Sequence, residues 1–259
     1  MITAVRRVWQ AMDSNAPVLG PMIFEFATPV VAALAHDSGA QFLIVDMEQT
    51  IFDFATVQVL VTACNYEGLA SIVRLPSLVD TRLVGKVLDF GATGVMAPMI
   101  GSRAEAERLV AATRYPPCGT RGMAHGAPGP GAERGEQREL RPVVIAQIES
   151  REGLAQVDAI ADVDGIDVLW IGQRDLSLAL GVPGQFDSAP FVDDVRHIAR
   201  AANDAGKSAG YLLESPEHAQ KLTALGYRWF GFSDTALYSS ALGTRLQQVR
   251  DLLNGEMRR

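Results

Sequence analysis

The chemistry open to this sequence is set by the polar residues that close its short apolar runs. Asp46 and Glu48 end the run FLIVD (42–46), and Arg74 lies within ASIVRL (70–75). Gln147 and Glu149 end PVVIAQI (142–148), and Asp175 follows DVLWIG (167–172). Glu25 follows VLGPMIF (18–24), and Asp234 follows RWFGF (228–232). If these runs are strands whose C-terminal ends share one mouth, the residues converge there. Carboxylates brought together repel, and a hard divalent cation bound through oxygen is the usual remedy. No run ends in His or Cys, so Mg²⁺ or Mn²⁺ fits better than zinc, with Co²⁺ also compatible. Arg74 puts a permanent cation in an apolar strand, where burial without an anion is costly. Its partner is either a structural carboxylate such as Asp46 or a substrate carboxylate held bidentately. A lone acid after a strand is also a common helix cap or solvated loop residue; Asp234 is read that way, and Glu25 stays open between the two.

With GVMAP (94–98) and SAGYLL (208–213) the runs number eight. Helical periodicity fills the intervals. Val57, Leu60, Val61 and Cys64 share one face, as do Leu83, Val84, Val87 and Leu88, and again Val192, Val195, Ile198, Ala199 and Ala202. Ser102 and Glu105 have capping-box spacing, and Ser215 before Pro216 suits an N-cap with proline at the first helical position. Eight strands, each followed by a helix, in 259 residues predict an α/β fold, a (β/α)8 TIM barrel forming a single domain over 1–259. A doubly wound open sheet would want a glycine-rich phosphate turn after an early strand, and the sequence has none. Residues 1–12 place Val5, Val8, Trp9 and Met12 at helical spacing, predicting an extra N-terminal helix that closes the bottom of the barrel. The stretch 115–136 is too rich in Gly and Pro for regular structure and reads as a surface excursion.

The balance of 23 Lys and Arg against 30 Asp and Glu gives a net charge of −7, with no basic stripe for a phosphate backbone, so nucleic acid is not expected as a partner. No apolar span is long enough to cross a bilayer, and the first residues lack the apolar stretch of a secretory signal, so no membrane association is expected. Cys64 and Cys118 make neither a disulfide framework nor a zinc pair. A reduced, cytoplasmic protein is expected.

Five segments together resemble the HpcH/HpaI family of metal-dependent class II pyruvate aldolases: QFLIVDMEQ (41–49), IVRLP (72–76), GATGVMAPMI (91–100), RYPPCGTRG (114–122) and the long block 144–185 with its QIE, VDGID and DLS. The resemblance implies a (β/α)8 barrel and a homo-oligomer, a trimer or hexamer, in which the C-terminal helix, here 236–259, is exchanged between subunits. It implies Glu149 and Asp175 as metal ligands, and Gln147 as the residue orienting the substrate oxygen or a water. Arg74 would steady the enolate of a 2-keto acid substrate, and the backbone at Gly172, Gln173 and Arg174 would receive its carboxylate. The implied activity is formation or cleavage of a carbon–carbon bond next to the keto acid. The metal takes the place of a Schiff-base lysine as electron sink, in keeping with Lys86, Lys207 and Lys221 falling in helices or at their ends.

Departures from the family pattern gather around the same mouth. Where relatives read approximately Asp-x-Glu-His, this chain reads Asp46-Met47-Glu48-Gln49, and a glutamine cannot titrate. Either an enolate is still formed with another base, Glu48 among the candidates, or the reaction has shifted toward a citrate-synthase-like or CoA-ester lyase, or the chain binds a keto acid without catalysis. Arg174 adds a cation beside Asp175, to neutralise a second substrate carboxylate, to face solvent, or to pair with Glu149 or Glu25; Glu25 itself stands where relatives commonly carry glycine. Asp89 matches the family aspartate that pairs with the replaced histidine. In a barrel it sits at the bottom, so it can act only in a neighbouring subunit's site. His125 is the one histidine weighed as a replacement base, delivered across an interface.

Overall fold

Every apolar run becomes a strand, with each end within one residue of its expected place. The computed structural model describes residues 2–122 and 141–256. Its elements run α1 (Ile2–Asp13), β1 (Val18–Ile23), α2 (Val30–Asp37), β2 (Phe42–Asp46), α3 (Phe54–Glu67), β3 (Ala70–Arg74), α4 (Arg82–Asp89), β4 (Gly94–Ala97) and α5 (Arg103–Thr113). They continue with β5 (Val143–Ile148), α6 (Arg151–Ala155), α7 (Val157–Ala161), β6 (Val168–Ile171), α8 (Gln173–Ala179), α9 (Ala189–Asp204), β7 (Ser208–Leu213), α10 (Pro216–Ala224), β8 (Tyr227–Ser233) and α11 (Asp234–Glu256). The strands pair in sequence order, and β8 closes on β1 in parallel, from Val18 opposite Trp229 to Met22 opposite Ser233. The result is a closed eight-stranded parallel barrel with flanking helices, a TIM barrel.

Strand alternation divides the apolar residues into two clusters. One parity faces the flanking helices, where Leu43, Val45, Val73, Val95 and Leu169 meet Val57, Leu60, Val84, Val87 and Ile198. The other fills the barrel, through Phe42 and Ile44, Ala70 and Ile72, Val143 and Ile145, and Val168 and Trp170. Gly210 leaves space for the Trp170 indole, which a Cβ there would strike. The helix expected over 1–12 is α1; its Val5, Val8 and Trp9 are buried in the interior cluster with Val18, Phe42 and Val143, residues from the N-terminal ends of their strands, so α1 plugs the bottom.

The caps differ in detail from their sequence signatures. Ser102 Oγ accepts from Glu105 N at 3.3 Å, but the Glu105 carboxylate reaches Gly101 N at 2.8 Å instead of the Ser102 amide. Ser215 occupies the N-cap of α10 with Pro216 after it, yet makes no side-chain cap bond, because its hydroxyl is engaged by the Glu217 carboxylate. Of the excursion 115–136, residues 115–122 are irregular and the remainder lies outside the described residues. The helix expected over 236–259 begins earlier, at Asp234, and from Thr235 to Asn254 every residue is exposed. No helix of the described residues is long and apolar enough to cross a membrane.

Burial between barrel and helices has a pH consequence. It pushes the Cys64 thiol up to about 12 and holds the Tyr227 hydroxyl, which donates to Val195 O at 2.9 Å, and that of Tyr211 well above the usual tyrosine range. In the unfolded chain these groups ionise near about 8.5 for Cys and about 10 for Tyr. Above roughly pH 9 the unfolded chain therefore binds fewer protons than the folded one, and stability falls as pH rises. Urea unfolding across pH 7 to 11 should show this decline. Tyr227→Phe should flatten it while costing about 1 kcal/mol at neutral pH for the lost hydrogen bond.

Candidate active site

The interior parity that packs the barrel continues upward into polar residues. Asp46 follows Phe42 and Ile44, Arg74 follows Ala70 and Ile72, Gln147 and Glu149 follow Val143 and Ile145, and Gly172 follows Val168 and Trp170. Asp46 and Arg74 are register partners across β2 and β3, as Gln147 and Trp170 are across β5 and β6. The site is the top layer of the barrel core, with apolar side chains replaced by hydrogen-bonding ones.

Arg74 is 7% exposed and Asp46 fully buried. Arg74 Nε donates to Asp46 Oδ1 at 2.6 Å, and its Nη1 lies 2.8 Å from Glu48 Oε2. Asp46 also accepts from Glu48 N at 2.9 Å and Gln49 N at 3.1 Å, so one carboxylate folds the turn after β2 and holds the guanidinium. The partner left open by the sequence is thus structural, and doubly so. Burial raises the Glu48 pKa to about 7; Arg74 lowers it, and Glu149, Asp46 and Asp175 add to the rise. Glu48 is turned onto Arg74 and does not line the mouth.

Glu149, 2% exposed, accepts from Met99 N at 2.7 Å through Oε1 and from Gln147 Nε2 through Oε2. Burial raises its pKa, bonds from Met99 and Gln147 oppose this, and the charge of Asp175 adds to the rise. Gln147 Oε1 is buried with no hydrogen-bond partner. Gly172 is required here, since a Cβ would collide with Glu149 Oε2. The backbone of Met99 is itself unusual: its φ of 54° is in the left-handed region that few side chains adopt. This donor carried no signal in the sequence.

These groups border a cavity of about 390 Å³ lined by Gln49, Arg74, Gln147, Gly172, Arg174 and Asp175. Its remaining wall is apolar at Met22, Phe24, Trp170 and Leu212, and polar at Ser233 and Thr235, whose hydroxyls lie 2.7 Å apart. The sequence did not single out this wall. Gln173 lines the cavity too, but its Nε2 is spent on Leu212 O at 2.8 Å, tying α8 to β7. Asp234 accepts from Glu25 N and Phe26 N, each at 2.9 Å, so it is not a cation ligand, but it is buried and ties down the loop after β1 instead of facing solvent. Glu25 is exposed and outside the cavity lining, and Arg174 pairs with neither Glu25 nor Glu149. Asp89 ends α4 at the bottom of the barrel and pairs with Arg121 at 2.7 Å. His125 lies outside the described residues.

For a cation the donor set is oxygen only. Among the described residues no three of His, Cys, Asp and Glu gather as a ligand cluster. The cavity offers the Asp175 carboxylate, the adjoining Glu149 carboxylate with its raised pKa, and the unpartnered Gln147 carbonyl. Two carboxylates and one neutral oxygen, with water completing the sphere, suit a hard divalent ion.

Comparison with known proteins identifies the family. Residues 22–233 match the family described as HpcH/HpaI aldolase/citrate lyase. The 2-keto-3-deoxy-L-rhamnonate aldolase of Shigella dysenteriae serotype 1 is 35% identical over 239 residues, covering 88% of this chain and 87% of that protein. The hydroxypyruvate/pyruvate aldolase of Pseudomonas aeruginosa is 34% identical over 248 residues, covering 92% and 90%. The crystal structure of an HpcH/HpaI aldolase from Desulfitobacterium hafniense superposes with a TM-score of 0.86 at 26% identity, covering 94% of this chain and 96% of that one. The chain belongs to the HpcH/HpaI aldolase/citrate lyase family, a family of class II pyruvate aldolases.

Proposed function

We propose that this protein is a divalent-metal-dependent aldolase that forms or cleaves the bond between C3 of a pyruvate-like 2-keto acid and an aldehyde carbon. The observation that carries the reading is Arg74, held by two carboxylates at 2.6 and 2.8 Å while lining a cavity beside Glu149 and Asp175. Glu149 and Asp175, with Gln147, would hold Mg²⁺ or Mn²⁺. Such an ion, when bound, supplies Lewis acidity toward the substrate oxygens.

The chain's own residues do the rest. Cleavage breaks the C3–C4 bond of a 4-hydroxy-2-keto acid: the C4 hydroxyl loses its proton as the aldehyde forms, and C3 finally takes one. Arg74 stabilises the negative charge developing on the keto oxygen, and needs no reorganisation because Asp46 and Glu48 already fix it. The family resemblance implies that the amides at Gly172, Gln173 and Arg174 receive the substrate carboxylate; Gly172 N donates to Ile148 O at 3.2 Å, so Gln173 and Arg174 are left to do so. Phe24, Trp170 and Leu212 exclude water from one side. Gln49 hydrogen-bonds to substrate but moves no proton itself. The proton acceptor is then a group other than Gln49, and Asp89 would take part only from a neighbouring subunit.

A homo-oligomer, trimer or hexamer, belongs to the same reading. Leu242, Leu246, Val249 and Leu253 form an exposed seam along α11 at spacings of four, three and four, while Leu19 on β1 is 41% exposed on the barrel's outer face. An α11 exchanged between copies would bury both. We place the enzyme in the cytoplasm, acting on a small-molecule keto acid.

Three outcomes test this. With Mg²⁺ or Mn²⁺ present, the methyl protons of pyruvate should exchange with deuterated water, followed by NMR, and Glu149→Ala should abolish the exchange. No exchange by the parent with any of Mg²⁺, Mn²⁺ or Co²⁺ would remove the enolate mechanism. Gln49→His should raise the exchange rate about 100-fold or more, within the range a positioned acid–base group contributes; a fall would assign Gln49 to a different chemistry. Deleting residues 236–259 should convert the oligomer to monomers by light scattering, and an unchanged mass would contradict helix exchange.

A further inference from the structure

Two arginines line the cavity, and only one has its charge accounted for. Arg74 is neutralised by Asp46 and Glu48. Asp175, with Glu149, would hold the cation in the proposed function. Arg174 is exposed, borders the same space, and forms no ion pair with any described carboxylate, including Glu25 and Glu149 beside the site. The rest of the wall cannot answer its charge: Gln49, Ser233 and Thr235 are neutral, and Met22, Phe24 and Leu212 are apolar.

We propose that Arg174 is a specificity residue that selects substrates bearing a second carboxylate, on the arm beyond the reacting carbon. This deepens the keto-acid reading and rests on it. The first carboxylate and the keto oxygen are committed to the cation and the backbone, so a free cation elsewhere in the cavity has only the distal arm to meet. A single guanidinium matches one carboxylate in charge and fork geometry. A phosphate dianion would call for a second cation beside it, and the cavity lining holds none besides the already neutralised Arg74. A cavity of about 390 Å³ is large enough for a keto acid with such an arm.

The test compares 2-oxoglutarate with 2-oxopentanoate, equal in chain length and differing by the distal carboxylate. Binding is measured by calorimetry on the full chain with Mg²⁺, so no turnover is required. The parent should prefer 2-oxoglutarate, and Arg174→Ala should weaken it roughly 10-fold, the loss of one charge-assisted contact, while 2-oxopentanoate changes by less than about 2-fold. Arg174→Lys should restore part of the preference, and added KCl should erode it in the parent. Equal losses for both ligands, or an unchanged preference in Arg174→Ala, would overturn the proposal. Pyruvate proton exchange in the same proteins separates the failures. Exchange in the parent with no Arg174-dependent preference sinks only this proposal, whereas no exchange in the parent sinks the reading beneath it.

Discussion

A cation buried at the end of β3 constrains the whole upper face of the barrel. Arg74 cannot be neutralised by losing its proton, so it needs anions where the apolar interior gives way to the mouth. Asp46 and Glu48 supply them from the adjacent strand and its turn. Asp46 binds the guanidinium and also the amides of Glu48 and Gln49, so the turn's conformation and the arginine's position are one arrangement. Removing one member of such a buried set costs on the order of 3–5 kcal/mol, because the remainder is left uncompensated. That rigidity is what an oxyanion-stabilising group requires: its dipoles are already oriented when charge develops.

Arg74 does not balance every carboxylate it faces. Glu48 sits near neutrality with a pKa of about 7, and Glu149 is raised by burial and by Asp175. Glu149 beside Asp175 at the cavity favours positive charge there, and the buried, unpartnered Gln147 carbonyl adds a neutral oxygen. Gly172 makes the arrangement possible, since a side chain there would take the space of the Glu149 carboxylate. Met99 completes it by offering its amide from a left-handed backbone conformation, a local cost of about 1–2 kcal/mol accepted at the position that orients Glu149.

The bottom and the outside of the barrel follow other demands. Trp9 and its helix close the lower end because the interior strand parity ends there in apolar residues that would otherwise meet water. On the outside, α2 to α5 and α7 to α10 supply the ring that covers the other parity. The last helix does not join that ring within its own chain, which leaves an exposed apolar seam on α11 and an exposed Leu19 on β1.

The sequence by itself determined the barrel. Strand period, helix period and their alternation are local properties, and eight βα units have few other ways to bury both strand faces. It also carried the polar positions of the site, because Asp46, Arg74, Gln147 and Glu149 keep the inward parity of the runs that precede them. It did not say which carboxylates were structural: Asp234 binding two amides of the β1 loop, and Glu48 lying on Arg74 instead of at the mouth, depend on contacts between residues distant in the chain. The wall of Phe24, Leu212, Ser233 and Thr235 and the Met99 donor were likewise illegible, since no local pattern marks them. Only the tertiary structure decided that Arg174 has no ion-pair partner among the described residues, because pairing depends on which charges the closed barrel brings within a few ångströms, and sequence spacing does not encode that distance.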